Sequence, residues 1–233
     1  MILAKLIFFL FGLGLGALAV LVWSGFAAIP PAWNPLGPPD LAAETGPFTR
    51  LQLAGLRHEP ATCFDLLEQA GIRVSPAAER VVENGCGIQN AAYAEKLDIA
   101  YSRGFVATCP MLAALIVFER QVVQPAALRH FGMKVIRIGH LGSYSCRNIY
   151  GRETGRRSEH ATANAIDIAA FTLTDGRVVL LARNWNRGGA GAAFLREVDD
   201  GACRLFNVVL GPDYNASHRD HFHLDMGRFR VCR

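Results

Sequence analysis

Residues 6–29, LIFFLFGLGLGALAVLVWSGFAAI, run for 24 positions without a charge and are preceded only by Lys5 and the amino terminus. At 1.5 Å per residue such a helix spans about 30 Å of hydrocarbon, and it has no polar face to turn towards solvent. The pattern predicts a signal anchor over residues 1–29, with Lys5 on the cytoplasmic side and the remainder exported. The GFAA at 25–28 offers the alternative of a cleaved signal peptide and a secreted chain. Five prolines among the eleven residues 30–40 cannot propagate a helix, so this segment reads as an extended stalk and leaves residues 41–233 as one body.

Inside the body the hydrophobic spacing changes along the chain. ATCFDLLEQAGI, 61–72, places Phe64, Leu66 and Leu67 at helical spacing before Gly71. The stretch 107–131 opens with Thr108 as a cap and Pro110 in the first turn and stays apolar at helical spacing. It is expected to break or kink at Pro125 and to present Glu119 and Arg120 as its solvated face. Beyond His130 the period shortens. Val135, Ile136 and Ile138 alternate with Lys134 and Arg137, and AIDIAAFTLTDGRVVLLA, 165–182, gives two β-rich runs joined at Asp175-Gly176, a hairpin signal. Residues 191–206 return to helical spacing through Phe194, Leu195 and Val198, and HFHLDM, 221–226, is a short alternating run. Helices followed by strands predict an α+β fold, with N-terminal helices packed on a small antiparallel sheet and one transmembrane helix ahead of them.

Composition narrows the setting. The chain has 24 basic and 20 acidic side chains, and removing Lys5 leaves a balance of +3, which is no nucleic-acid footprint. All six cysteines lie in the body, an even count that predicts three disulfides in an oxidising compartment, the periplasm. Six cysteines allow 15 pairings; proximity favours Cys63 with Cys86. No CxxC occurs, so zinc-ribbon and thioredoxin-like chemistries lose their usual support.

The chemistry concentrates in two segments. HRDHFHLD, 218–225, packs three of the seven histidines into six residues, and on an extended strand His221 and His223 project from one face. That geometry suits a metal, although a histidine-rich solvated turn has the same letters. A metal needs a partner segment, and SEHATANAID, 158–167, supplies His160 from a loop and Asp167 from the strand that follows. A carboxylate in an apolar strand needs pairing or a metal if it is buried. The alternative is that Ile166 and Ile168 face the core together and Asp167 faces water.

Ser158, His160, Ala163, Ala165 and Asp167 resemble the SxHxxGxAxD signature of the LAS-type zinc peptidases, which include D-alanyl-D-alanine carboxypeptidases and murein endopeptidases, with Ala163 standing where the signature has glycine. His218, His221 and His223 resemble the HxxHxH segment of the penicillin-insensitive murein endopeptidases in that group. TCP at 108–110 and GSYSCRN at 142–148, with both metal motifs, resemble the bacterial extensin-like C-terminal domain family over nearly all of 41–233. The peptidase resemblance implies His160, Asp167 and His223 as Zn2+ ligands and His221 as the group that transfers protons or stabilises an oxyanion. His218 and Asp220 compete for that role. It implies Arg147 as a clamp on a substrate carboxylate or tetrahedral oxygen, Ser158 as a support of the His160 loop, and residues 151–157 as a rim. His58, His130 and His140 fit no ligand pattern and are read as structural. The implied function is hydrolysis of peptidoglycan stem peptides or their cross-links by a single-pass inner-membrane protein, with a D-alanyl endopeptidase favoured over a carboxypeptidase. The alternative is a non-catalytic wall-binding or metal-binding envelope protein.

Overall fold

A computed structural model describes residues 2–26 and 29–233. Helix α1, Ile2–Trp23, is long and apolar enough to cross a bilayer and buries none of its span against the body. Ala27 and Ala28 of the alternative cleavage sequence lie outside the described residues. The proline-rich segment lies against the body: Gln52 Nε2 donates to the Pro31 and Asn34 carbonyls, each at 2.7 Å.

The body begins with α2, Thr49–Gly55, and α3, Pro60–Gln69. Five strands then come before the long helix: β1, Ser75–Pro76; β2, Arg80–Glu83; β3, Cys86–Ile88; β4, Ala91–Lys96; and β5, Ala100–Thr108. The chain continues through α4, Cys109–Phe118, and α5, Gln124–Phe131, into β6, Val135–Gly142. The last third comprises β7, Ala165–Leu173; β8, Val178–Leu180; α6, Leu181–Asn184; α7, Gly189–Leu205; β9, Val208–Leu210; β10, Phe222–Asp225; and β11, Val231–Cys232. The order β1-β4-β5-β6-β7-β10-β9-β11, with β8 on β7, makes a nine-stranded sheet. It is mixed, because β5 pairs β6 and β9 pairs β11 in parallel, while β2 and β3 form a separate pair.

The α+β class therefore holds, but the sheet is neither small nor antiparallel throughout. The strands before α4 were invisible to periodicity because AAYAEK and AYSRGFVAT are rich in alanine, glycine and charge, and cross-strand pairing rather than propensity makes them strands. The β7 to β8 hairpin turns at Asp175-Gly176 as expected, with Gly176 at φ 85°.

All ten residues of α4 are buried, so this helix has no solvated face. Glu119 is fully buried: its carboxyl accepts from Ile99 N at 2.7 Å and bonds the Tyr101 hydroxyl at 2.6 Å. Arg120 reaches Asp98 and the Ala70 carbonyl. The expectation for both as a solvated face is thus corrected; the helix is central, and Glu119 is held by the Ile99 N–H and the Tyr101 hydroxyl. The predicted break at Pro125 is a π-turn over Glu119–Val123, with Gln124 N bonded to Glu119 O, and the widened turn carries the chain into α5 around the missing proline N–H.

The disulfides join Cys63 to Cys109, Cys86 to Cys146 and Cys203 to Cys232. Cys63 does not pair with Cys86: it lies on α3, which packs against α4 where Cys109 sits, whereas Cys86 meets the loop after β6.

Candidate metal centre

The site is built where β7 and β10 run antiparallel. Their register sets His223 opposite Asp167, Asp225 opposite Ala165, and Phe222 and Leu224 opposite Ile168 and Ile166. Directly opposed residues share a face, so the four apolar side chains point into the core, where each is fully buried, and Asp167, His223 and Asp225 point to the other side. Asp167 does face away from Ile166 and Ile168, but loops cover it and its side chain is only 14% exposed.

One of those loops delivers His160. Ser158 Oγ accepts from His160 N at 3.4 Å and starts a single 3-10 turn, Glu159–Thr162. The turn ends at Ala163 in the left-handed conformation, φ 55° and ψ 27°. Glycine enters this region without the steric cost a Cβ carries, so alanine is held here under strain.

His160 Nε2 lies 3.2 Å from Asp167 Oδ1 and 3.1 Å from His223 Nδ1, and His223 Nδ1 lies 3.0 Å from Asp167 Oδ1. The outer nitrogens of both rings are occupied. His160 Nδ1–H donates to the Ser143 carbonyl at 2.6 Å, and His223 Nε2–H donates to Asp225 Oδ2 at 3.1 Å. Asp225 is fixed in turn by Gly227 N, which donates to Oδ1 at 2.8 Å. These partners set the tautomers, leaving two imidazole lone pairs and a carboxylate oxygen converging with no hydrogen of their own between them. Such a triangle needs a cation at its centre, and the three side chains can hold a metal ion. Tetrahedral zinc, with bonds of about 2.0–2.1 Å, sets its ligand atoms roughly 3.3 Å apart, close to the observed spacing.

A proton is the other cation that can fill the gap. Burial lowers the pKa of His223, but the hydrogen bonds and charges of Asp167 and Asp225 outweigh it and lift the value to about 9. Burial raises Asp167, and the bonds from His160 and His223 overcome this and hold the carboxyl well below the usual range. His218 moves the other way. Burial first, then the neighbouring imidazoles of His221 and His223, bring it down to about 4, so its imidazole is neutral at pH 7.

His221 stands beside the triangle. Its Nδ1–H donates to Asp220 Oδ1 at 2.9 Å, and its Nε2 lies 3.7 Å from Asp167 Oδ1. The ring of His218 is 5.2 Å from that of His221 and 6.0 Å from that of His223. Asp167, His218, His221 and His223 open onto a cavity of about 480 Å³ whose wall includes Arg147, Tyr150, Arg156 and Tyr214.

The family model described as the Extensin-like protein C-terminus matches residues 61–233, which include every residue of this site. The chain belongs to that family. No curated protein and no solved structure matches the chain.

Within this extensin-like domain, both sequence segments singled out for their chemistry meet at one point. His160, Asp167 and His223 are in mutual reach, His221 comes within 3.7 Å of Asp167, and His218 and Arg147 line the same cavity. Of the rim expected over 151–157, Arg156 and Arg157 line the cavity. Arg156 lies over the Phe229 ring at 4.0 Å, and Arg157 donates to the Asn84 carbonyl and to Asn148 Oδ1. Sequence reasoning missed Ser143, Asp225, Tyr150, Tyr214 and Asn215. Asp225 alone had a signal, since it sits two residues after His223 and so on the same strand face. His140 Nε2 bonds the Arg103 carbonyl at 3.0 Å, and His130 pairs with Glu197.

Proposed function

We propose that this extensin-like protein is a zinc-dependent peptidase that hydrolyses peptidoglycan stem-peptide or cross-link amide bonds, with a D-alanyl endopeptidase favoured over a carboxypeptidase. The observation that carries the reading is the triangle of His160 Nε2, Asp167 Oδ1 and His223 Nδ1, with sides of 3.0–3.2 Å and both imidazole tautomers set from outside. A zinc ion held there supplies Lewis-acid polarisation of an amide carbonyl and acidifies water. His221, oriented by Asp220, takes the proton at Nε2 and returns it to the leaving amine. Arg147 offers a guanidinium with no salt-bridge partner among the described residues and orients a substrate carboxylate from the cavity wall. A cavity of about 480 Å³ admits several residues of an extended peptide. The apolar α1 and the disulfide-bonded body support a single-pass inner-membrane protein with its domain in the periplasm, beside this polymer.

The test is incubation of the full-length chain in detergent with cross-linked muropeptides, before and after chelation and zinc replacement, with mass analysis of the products. Loss of a cross-link mass and gain of its two halves, abolished by chelator and by His223→Ala, is the expected result. Release of terminal residues alone identifies a carboxypeptidase. Zinc-loaded protein that binds metal but leaves every muropeptide intact overturns the enzymatic reading in favour of a metal-binding envelope protein.

A further inference from the structure

One hydrogen-bond chain at the cavity wall has its direction set by a single backbone group. Ser217 N–H can only donate, and it points at Asn215 Oδ1 at 3.0 Å. This fixes which end of the Asn215 amide is oxygen. The same oxygen lies 2.8 Å from His218 Nδ1, and because an amide oxygen can only accept, His218 Nδ1 carries the hydrogen. The amide nitrogen of Asn215 then faces the Tyr150 hydroxyl at 3.2 Å and donates to it, and Tyr150 passes its own hydrogen to the Tyr214 hydroxyl at 3.2 Å.

The chain spans two loops far apart in sequence. Tyr150 belongs to the loop after β6, and Tyr214, Asn215, Ser217 and His218 to the loop between β9 and β10. Tyr150 holds a left-handed backbone, φ 58° and ψ 20°, which a bulky side chain adopts only where surrounding structure enforces it. Its ring and that of Tyr214 meet the His218 ring edge-on, at 6.3 and 5.5 Å. His218 is thus gripped by both aromatic rings and by Asn215, while its Nε2 has no protein partner among the described residues and the side chain lines the cavity.

We propose that Asn215 and Tyr150 are positioning residues that hold His218 as the Nδ1–H tautomer and present its Nε2 lone pair to the cavity, as an acceptor for a peptide N–H of the substrate. The role in substrate binding rests on the peptidase reading; the tautomer does not. His221 has the carboxylate partner that suits proton transfer, whereas His218 is oriented by a neutral amide, which suits a fixed acceptor.

The test uses the full-length chain in detergent with ring-15N-labelled histidine, in slightly alkaline buffer. Two-bond nitrogen-proton correlations are expected to report His218 with its hydrogen on Nδ1. Asn215→Asp keeps an accepting oxygen and retains that tautomer, whereas Asn215→Leu converts His218 to a mixture. Tyr150→Phe frees the amide end and gives an intermediate shift. On cross-linked muropeptides, Asn215→Leu is expected to lose about tenfold in kcat/KM, mostly through KM, with Asn215→Asp recovering most of it. A wild-type His218 protonated on Nε2, or an Asn215→Leu variant with an unchanged tautomer or unchanged KM, overturns the proposal. If the leucine variant does not fold, Asn215→Asp and Tyr150→Phe decide: an unchanged His218 signal in Tyr150→Phe together with unchanged KM overturns the Tyr150 assignment. The expected tautomer pattern in a protein that cuts no muropeptide sinks the peptidase reading and leaves the positioning of His218 standing.

Discussion

His223 faces a carboxylate on each side of its ring, Asp167 at Nδ1 and Asp225 at Nε2. Asp225 sets the tautomer, so Asp225→Asn is expected to weaken zinc affinity by about 10–100-fold without removing a ligand, read by competition with a fluorescent chelator. Zinc must also displace a proton. With the pKa of His223 lifted to about 9, the metal-free site is protonated throughout the neutral range, and zinc affinity is expected to rise by about tenfold per pH unit until pH approaches that value. Zinc affinity independent of pH between about 6 and 8 contradicts the assignment of His223 as a ligand. Ala163 gives a third residue-scale expectation. Mutating a fully buried alanine to glycine deletes a methyl worth about 0.8 kcal/mol and adds unfolded-state entropy of similar size. At Ala163 the left-handed backbone carries a strain of about 1–2 kcal/mol that glycine relieves, so Ala163→Gly is expected to change stability by less than about 1 kcal/mol. Ala165→Gly, equally buried but on the extended β7, is expected to cost about 1.5–2 kcal/mol in denaturant unfolding, because no strain offsets the loss.

At the scale of elements, the α4 to α5 helix carries a buried carboxyl through the core. Burial pushes the pKa of Glu119 up to about 8, against the opposing hydrogen bonds from Tyr101 and Ile99, whereas its ordinary value is 4.5. The folded protein therefore keeps a proton that the unfolded chain releases above pH 4.5. This contribution is fully present below the unfolded value and is lost as pH rises through the folded one. Stability of the metal-free protein is expected to fall between about pH 5 and 8 by a few kcal/mol, and Glu119→Gln flattens the slope in urea unfolding run across that window. The pairing of β7 with β10 is the element on which the site depends. A slip of one residue between them turns His223 into the core and exposes Leu224, so the four apolar side chains on the far face hold the register that the polar residues use.

At the scale of the molecule, the loop carrying Ser143 and Arg147 is tied to β3 by the Cys86 to Cys146 disulfide, across 60 residues of sequence. Replacing both cysteines by serine is expected to destabilise the body by about 3–4 kcal/mol. It is also expected to loosen zinc, because the Ser143 carbonyl orients His160; an intact affinity in the double variant, measured by the same competition, removes this loop from the support of the site. Much of this was legible in the linear chain. The apolar span, the β7 to β8 hairpin, α7 and the membership of His160, Asp167, His221 and His223 in one cluster are local patterns: an unbroken apolar run, a turn dipeptide and two short motifs report themselves wherever they stand. The cysteine pairs, the burial of Glu119, the early strands and the direction of every imidazole lone pair belong to the tertiary structure alone. Each of them depends on which backbone group lies opposite, and Asp167 meets His223 across 56 residues only because strand register brings them face to face.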